Sequence, residues 1–289
     1  MNLSTPVLSI EKLAVQFQTR NGIVDAIRDV SLSVRRGEVL GLVGESGSGK
    51  SVSAYATLGL LERNGRVTAG TAIFENTDLL TTPARELRRL RGSAISMIFQ
   101  NARAALNPIR TVGEQLVDVS LAHKRVSRAQ AREEAMAMLH AVGITDPARR
   151  YHAYPFEMSG GMCQRVMIAL ALVCSPRLLI ADEPTTGLDV TTQATIMDLV
   201  AGLCRDNGMS AIFITHDLAL AADYCDHVAV MQRGGVVEQG MADVILAAPQ
   251  HPYTQALVAS TPTPTSSLAD LAGLGDAARP VVAMEQLQL

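Results

Sequence analysis

Apolar and polar residues alternate along the first part of the chain. Residues 8–17 and 26–34 both follow a two-residue period, and Asn21-Gly22, a common turn sequence, lies between them. This pattern is typical of strands with one buried face. It predicts two antiparallel strands joined by a turn at Asn21-Gly22, of the kind that forms a side sheet next to a parallel core.

Unbroken apolar runs occur farther along the chain and alternate with helical patterns. Such runs are typical of strands that are buried on both faces of a parallel sheet. They cover residues 39–43, 178–181 and 211–214. Helical patterns lie at 51–61, 83–90 and 191–205, and further strand patterns lie at 71–74, 96–99, 227–231 and 236–239, the last two flanking Gly234-Gly235. This order predicts an α/β fold with a mixed, largely parallel sheet and an N-terminal antiparallel β subdomain.

Residues 101–171 interrupt that alternation, because their patterns are mainly helical. Ser127 has the position of an N-cap, and the apolar face that follows it ends at Gly143. We therefore expect an inserted α-helical subdomain. The last residues, 262–289, are rich in Pro, Thr, Ser, Ala and Gly, and we expect a loosely ordered C-terminal extension after one domain that covers 1–261.

Composition limits the possible functions. The chain has 289 residues, of which 48% are hydrophobic and 18% charged, so it can bury a full core. A net charge of -3 without a long basic stripe argues against nucleic acid as a partner. The four cysteines are far apart, which predicts neither disulfides nor a zinc site and fits a reducing cytoplasm. The longest apolar run, 166–174, is about half of what a bilayer-spanning helix needs, so another chain would have to span any membrane.

The most specific motif is G-x-x-x-x-G-K-[ST], which lies between the strand predicted at 39–43 and the helix predicted at 51–61. Its glycines can adopt positive φ, so that successive N–H groups curl around a phosphate at the positive end of the helix. The motif therefore predicts a nucleotide site on a phosphate-loop NTPase core. Its residues, called the phosphate loop below, are Gly44, Glu45, Ser46, Gly47, Ser48, Gly49, Lys50 and Ser51.

The last two residues of the phosphate loop carry its chemistry. Lys50 would reach the β- and γ-phosphates of the nucleotide, and the hydroxyl of Ser51 would be a ligand for Mg²⁺. Asp182 and Glu183 follow the apolar run at 178–181, at the strand end where ligands collect in open parallel sheets. Asp182 would lie near Mg²⁺, and Glu183 could polarise a water for attack on the γ-phosphate. A helix cap or a solvated turn is the alternative interpretation of this pair.

Three further sites are less specific on their own. His216 follows the strand predicted at 211–214 and could hydrogen-bond the γ-phosphate, or it could be a structural histidine. Gln100 follows the strand at 96–99 and could contact Mg²⁺ or the attacking water. Phe17 could stack on an adenine ring or belong to the core.

A second helix start is suited to an anion. Ser159 is expected to cap the helix that follows it, and Gly160 and Gly161 would expose the amides of its first turn. A capped helix that binds no ligand is the alternative. Residues 159–161 are called the signature segment below.

Taken in order, these motifs resemble the ATP-binding subunits of ABC transporters over residues 8–240. The specific element is the signature segment, which lies about twenty residues before the strand that ends in Asp-Glu, because other phosphate-loop ATPases lack it. The residues that carry the resemblance are Phe17, the phosphate loop, Gln100, the signature segment, Asp182, Glu183, Gly187, Leu188, Asp189 and His216.

The resemblance implies an ATPase that uses ATP and Mg²⁺ in a head-to-tail dimer. The signature segment of one subunit would close on the ATP that the phosphate loop of the other subunit binds, with Asp189 across the dimer seam. Phe17 would stack on the adenine, and Gln100 would link Mg²⁺ to the membrane partner. Glu183 would be the general base, and His216 would fix the γ-phosphate.

A finer resemblance points to the importers of dipeptides, oligopeptides and nickel. It lies in residues 44–51, in 98–100 with 106–108, and in 159–162 through 182–186, and residues 251–254 resemble the start of that branch's C-terminal extension. The resemblance implies a place on the cytoplasmic face of the inner membrane. The implied partners are a second ATP-binding subunit, two membrane permeases and, indirectly, an extracytoplasmic solute-binding protein.

Peptide import is the first expectation from this resemblance, and nickel import is the alternative. A soluble ABC-type ATPase that acts on ribosomes or DNA is the alternative from another class. In many peptide importers the extension carries cysteines for an iron-sulfur cluster. This chain has no cysteine after Cys225, so we expect no cluster.

Overall fold

The computed structural model describes residues 6–260, apart from the side chain of Val190. The strands in chain order are β1 (Pro6–Thr19), β2 (Gly22–Arg35), β3 (Val39–Val43), β4 (Gly65–Phe74), β5 (Thr77–Asp78), β6 (Ile95–Ile98), β7 (Leu178–Asp182), β8 (Ser210–Thr215), β9 (His227–Gln232) and β10 (Gly235–Met241). The helices are α1 (Lys50–Thr57), α2 (Ala84–Leu90), α3 (Ala102–Ala105), α4 (Val112–His123), α5 (Arg128–Ala141), α6 (Pro147–Tyr151), α7 (Gly160–Leu172), α8 (Val190–Asp206), α9 (Leu218–Tyr224), α10 (Ala242–Ala247) and α11 (Pro252–Ser260). The extension expected at 262–289 lies outside the described residues.

The strands form two sheets. A four-stranded antiparallel sheet has the order β2-β1-β4-β5, and a six-stranded sheet has the order β10-β9-β3-β8-β7-β6. In the larger sheet β9, β3, β8, β7 and β6 are parallel, and only the edge strand β10 runs antiparallel to its neighbour. The predicted α/β fold, with a mixed and largely parallel sheet and an antiparallel N-terminal sheet, is therefore confirmed.

Apolar layers cover both faces of the larger sheet. Along β3, Leu40 and Leu42 pack into the layer shared with the antiparallel sheet, whereas Val39 and Val43 pack into the layer shared with α7 and α8. Every residue of β3, β7 and β8 is buried. Most of their residues are apolar because side chains on both of their faces leave water, and the polar residues Asp182, Ser210 and Thr215 lie at strand ends.

The helical block between β6 and β7 consists of α3 to α7 and a 3₁₀ turn at Pro155–Glu157. Ser127 caps α5 as predicted: its hydroxyl accepts a hydrogen bond from the N–H of Gln130 at 3.2 Å. Thr111 caps α4 in the same way, with Glu114 completing a capping box. In residues 6–260, no helix is both long enough and apolar enough to cross a bilayer.

Both hairpin turns lie one residue earlier than the sequence suggested. The predicted turn at Asn21-Gly22 is wrong, because Gly22 already pairs with Thr19 and the turn is Arg20-Asn21. In the second hairpin, Gly235 pairs with Gln232. Its turn, Arg233-Gly234, has φ values of +49° and +81°, as a type I′ turn requires.

The helix predicted at 51–61 ends earlier, at Thr57. Gly59 adopts a φ of +61°, and two backbone hydrogen bonds close the helix end: Gly59 N–H to Ala56 C=O at 3.1 Å and Leu60 N–H to Tyr55 C=O at 2.8 Å. This is a Schellman motif, in which a left-handed residue terminates the helix. The prediction overlooked Gly59 as a stop signal and was wrong at this end.

Replacing Gly59 with alanine should lower the melting temperature by about 2–5 °C, because a left-handed alanine costs about 1–2 kcal/mol. Its Cβ would also lie 2.7 Å from Leu87 Cδ2. Gly202→Ala is the matched control in the interior of α8, where the new methyl group would have no described atom within 4 Å. The control should raise the melting temperature, since alanine is favoured over glycine within a helix by about 1 kcal/mol. Equal shifts in thermal unfolding would contradict the assignment of the helix end.

Candidate active site

The phosphate loop follows β3 and leads into α1. Gly44 and Gly49 have φ values of +155° and +106°. A Cβ at Gly44 would lie 2.2 Å from the carbonyl oxygen of Met231, and one at Gly49 would lie 2.5 Å from Ile27 Cδ1. Glycine is therefore needed at both positions, because the loop passes directly against β9 and β2 while turning back towards the helix.

Lys50 is buried beneath this loop. Its ammonium group donates hydrogen bonds to the carbonyl oxygens of Gly44 at 2.7 Å and of Glu45 at 2.9 Å. Burial lowers the pKa of Lys50, and the nearby carboxylates of Glu183, Asp182 and Glu45 oppose that effect. Two backbone carbonyl groups of the loop therefore hold a cation at the start of α1, where it suits a phosphate.

Ser48 is a further polar residue of the loop that is suited to a ligand. Its hydroxyl is buried and has no hydrogen-bond partner among the described residues. Buried polar groups without partners are uncommon and are costly unless a ligand or water satisfies them. The residues of the loop therefore fit a bound nucleotide phosphate.

Ser51 and Asp182 join the loop to the end of β7. The Ser51 hydroxyl donates a hydrogen bond to Asp182 Oδ1 at 2.7 Å. Burial raises the pKa of Asp182, and the hydrogen bonds from Ser51 and Tyr55 oppose that effect. One hydroxyl and one carboxylate are the small protein ligand set that Mg²⁺ accepts when phosphates and waters complete its octahedron. The pair fits such an ion.

The other two predicted catalytic side chains lie next to Glu183. Gln100 Nε2 donates to Glu183 Oε2 at 2.8 Å, and His216 Nδ1 lies 3.5 Å from Glu183 Oε1. These three residues follow β6, β7 and β8, which are adjacent and parallel, so their carboxyl ends meet at one edge of the sheet. The structure therefore brings Gln100, Glu183 and His216 together, next to Ser51 and Asp182.

Two features of Glu183 were missed from the sequence. Thr186 Oγ1 also donates to Glu183 Oε2, at 2.8 Å. Glu183 itself has a φ of +44°, a left-handed conformation that is unusual for a residue other than glycine. Its N–H donates to Ile214 C=O on β8 at 2.9 Å, which holds the turn in place. Such strain is common at functional sites, but no sequence pattern would have indicated it.

The signature segment lies at the exposed start of α7. The Ser159 hydroxyl accepts a hydrogen bond from Met162 N–H at 3.3 Å. Among the described residues, a Cβ at Gly160 would meet nothing within 4 Å, and one at Gly161 would meet only Thr192 Cγ2, at 3.6 Å. The packing of this chain therefore gives no reason for glycine at Gly160.

Asp189 lies close to the signature segment, because Thr192, which lies next to Gly161, also contacts Asp189. It caps α8 by accepting hydrogen bonds from Thr192 N–H at 3.0 Å and Thr192 Oγ1 at 2.7 Å. These bonds, the side-chain one foremost, hold the pKa of Asp189 below its ordinary value. The structure thus places Asp189 and the signature segment on one exposed surface, as an ionised carboxylate beside a helix start.

Phe17 is half-buried in β1, where it pairs with Gly65 of β4 and Val24 of β2. A Cβ at Gly65 would lie 2.6 Å from the Phe17 ring, so the ring lies directly over this glycine. The strand pair that carries it also flanks the phosphate loop, since Gly49 lies against Ile27. Both expected roles, core packing and stacking on a base, are compatible with this position.

Cys163, in the first turn of α7, is fully buried and its Sγ lies 3.4 Å from the carbonyl oxygen of Pro155. Burial raises the pKa of the Cys163 thiol, despite the opposing effect of Arg103. The neighbouring Gln164 donates from Nε2 to Pro184 C=O at 2.5 Å, which ties α7 to the turn after Glu183. Cys163 is therefore a protonated packing residue rather than a reactive thiol.

Comparison with known proteins agrees with this geometry. Residues 27–186 match the ABC transporter family, and residues 237–286 match the C-terminal region of oligopeptide/dipeptide transporters. The oligopeptide transport ATP-binding protein OppD of Escherichia coli (strain K12) is 50% identical over 256 residues, which cover 89% of this chain and 76% of that protein. The dipeptide transport ATP-binding protein DppD of Bacillus subtilis (strain 168) is 49% identical over 257 residues, or 89% and 77% of the two chains.

A solved structure agrees as well. The ATP-binding cassette MJ0796, a dimer in a post-hydrolysis state with ADP and phosphate, has a TM-score of 0.73 and 26% identity, covering 81% of this chain and 98% of that chain. A phosphate loop between a buried strand and a helix, beside an Asp-Glu pair on a parallel strand, defines a phosphate-loop ATPase. Within that class, the chain belongs to the ATP-binding proteins of the ABC transporter family. The resemblance inferred from its motifs is confirmed.

Asp182→Asn should stabilise the nucleotide-free protein. Because the pKa of Asp182 is raised on folding, the unfolded chain binds fewer protons between its ordinary and raised values, and the free energy of unfolding falls as pH rises through that window. Asparagine keeps an acceptor for Ser51 without the buried charge. We expect a melting temperature about 2–4 °C above wild type at pH 8, and a smaller gain at pH 5.

The exposed Asp206 provides the control for this measurement. Asp206→Asn should change the melting temperature by less than about 1 °C at either pH, as expected for an exposed carboxylate. A lower melting temperature for Asp182→Asn than for wild type at pH 8 would contradict the destabilising role of the buried charge.

Proposed function

We propose that this chain hydrolyses ATP to drive the import of dipeptides or oligopeptides through an ABC transporter. The observation that carries the proposal is the cluster of Gln100, Glu183 and His216, beside the bonded pair Ser51 and Asp182. The relatives of this chain are named for oligopeptide and dipeptide transport, which supports peptides rather than nickel as the transported solute. The same names disfavour a soluble ATPase that acts on ribosomes or DNA.

The phosphate loop holds the nucleotide in this proposal. Its amides and the Lys50 ammonium group bind the β- and γ-phosphates. Ser51 and Asp182 hold Mg²⁺, with Gln100 as a further contact. When bound, Mg²⁺ neutralises charge on the phosphates and orients them for in-line attack. Phe17 stacks on the adenine.

Glu183 acts as the general base. Its Oε2 already accepts hydrogen bonds from Gln100 and Thr186, so the carboxylate is placed to accept one from a water. His216, 3.5 Å from the other carboxylate oxygen, is placed to hydrogen-bond the γ-phosphate. Gln100 connects this cluster to the helical block, and through it to the membrane partner.

A second ATP-binding subunit completes the site. The signature segment and Asp189 are exposed on one surface, and glycine at Gly160 has no explanation in the described part of this chain alone. A phosphate bound to another subunit would explain it, since small residues let the helix start approach closely. The solved dimer of MJ0796 supports a paired arrangement.

We propose the following domain organisation and location. Residues 1–261 form the nucleotide-binding domain, with the helical subdomain at about 101–171, and 262–289 form a short extension. The domain lies on the cytoplasmic face of the inner membrane and works with two permease subunits. A solute-binding protein on the other side acts through those permeases.

Glu183→Gln should leave ATP binding within about twofold of wild type and lower steady-state hydrolysis by about 100-fold or more, as loss of a general base does. Glutamine keeps the size and the hydrogen bond from Thr186. Lys50→Ala is the contrasting variant, and nucleotide titration should show at least a tenfold weaker affinity, because a buried charge that pairs with phosphate is lost. Turnover near wild type in Glu183→Gln would reject Glu183 as the base.

Purification from solubilised membranes tests the transport role. The tagged chain should copurify with hydrophobic permease subunits, and reconstituted vesicles should take up labelled dipeptides or oligopeptides only with ATP and wild-type Glu183. Recovery with ribosomes and without permeases would reject the proposal. Uptake of Ni²⁺ without peptide uptake would reject the substrate class while leaving the ATPase assignment intact.

A further inference from the structure

The segment after β10 returns to the phosphate loop. The N–H of Glu45, the second residue of the loop, donates a hydrogen bond to the Tyr253 hydroxyl at 3.0 Å. Tyr253 lies in the first turn of α11, 208 positions later in the chain. A residue outside the nucleotide-binding motifs therefore contacts the loop backbone directly.

Tyr253 is held in place from its own side. Glu238 of β10 accepts hydrogen bonds from the N–H groups of Gln250 at 2.8 Å and His251 at 3.0 Å, which fixes the turn before α11. His251 Nδ1 then accepts from the N–H of Tyr253 at 3.1 Å. These hydrogen bonds connect Tyr253 to β10, the edge strand of the larger sheet.

The rest of α11 anchors the tyrosine ring to the core. Tyr253 packs against the large apolar cluster together with Leu257 and Val258, and α11 packs against α9. Helix α9 begins two residues after His216. One helix thus contacts both the phosphate loop and the element that follows His216.

The hydrogen bond from Glu45 N–H to Tyr253 involves the peptide unit between Gly44 and Glu45. The N–H that Tyr253 binds and the C=O of Gly44 belong to the same planar peptide unit, so they point in opposite directions. That C=O accepts a hydrogen bond from Lys50 Nζ at 2.7 Å. Tyr253 on one side and Lys50 on the other therefore fix the orientation of this peptide, and rotating it would break both bonds.

We infer that Tyr253 is a positioning residue of the nucleotide site: it orients the Gly44–Glu45 peptide and so holds the phosphate loop and Lys50 in place before nucleotide binds. The loop is then ordered in advance, which reduces the entropy lost on binding. The C-terminal segment is in this way part of the nucleotide site. This inference rests on the proposed ATP binding only for its effect on affinity, because the contact between Tyr253 and Glu45 lies within the chain itself.

Tyr253→Phe in the full-length chain tests this inference, because it keeps the ring and removes only the hydroxyl. Without nucleotide, hydrogen exchange of a peptide covering residues 44–51 should become about three- to tenfold faster at one amide, as expected for the loss of one hydrogen bond. The dissociation constant for ATP, measured without Mg²⁺ to prevent hydrolysis, should rise by a similar factor.

Tyr224→Phe is the matched control. Its hydroxyl bonds Asp198 at 2.8 Å and contacts no part of the phosphate loop in the described structure. This control should change neither loop exchange nor ATP affinity. Unchanged exchange in Tyr253→Phe, unchanged affinity despite faster exchange, or equal effects in both variants would each overturn the inference. If wild type binds no ATP, the proposed function fails, while the exchange comparison still decides whether Tyr253 orders the loop.

Discussion

The hydrogen bond between Ser51 and Asp182 is the interaction on which the site depends. It joins two separate strand-to-helix connections, because Ser51 lies in the first turn of α1, after β3, and Asp182 ends β7. Strand β8 lies between β3 and β7 in the sheet, and all three run parallel. Their shared direction brings a hydroxyl and a carboxylate that are 131 positions apart in the chain to 2.7 Å. Gln100 and His216 follow β6 and β8 at the same edge of the sheet. The parallel direction of these strands therefore brings Ser51, Asp182, Glu183, Gln100 and His216 together.

The local part of this arrangement could be predicted from the sequence. Most residues of the buried strands are apolar, and the phosphate loop is a contiguous motif whose glycines indicate the backbone conformation that the loop needs. The ends of elements were harder to predict. Helix α1 ends at Thr57 because Gly59 adopts a left-handed backbone conformation. The presence of a glycine does not by itself indicate whether it terminates a helix or lies inside one, as Gly202 does. Strand β4 is more than twice as long as its apolar pattern, because its first residues pair with β1 while most of their side chains are exposed.

Contacts between distant segments were beyond the sequence. The left-handed turn at Glu183 is held by a carbonyl on β8, and Thr186 joins the cluster only because that turn folds back. Tyr253 belonged to a motif that suggested a branch of a family, but its bond to Glu45 depends on the position of β10 beside β9. Motif spacing can indicate which residues have a function. It cannot indicate which backbone groups they hold in place.

The strands beneath the site also restrict how this chain can vary in length. Because β3 and β7 are five residues long and buried on both faces, one inserted residue would turn their side chains to the opposite layers. It would also move Lys50 or Glu183 along the sheet by about 3.3 Å, more than the length of a hydrogen bond. Insertions and deletions that preserve function should therefore accumulate in the helical block and the antiparallel sheet. The central strands should keep a constant length as the family diversifies.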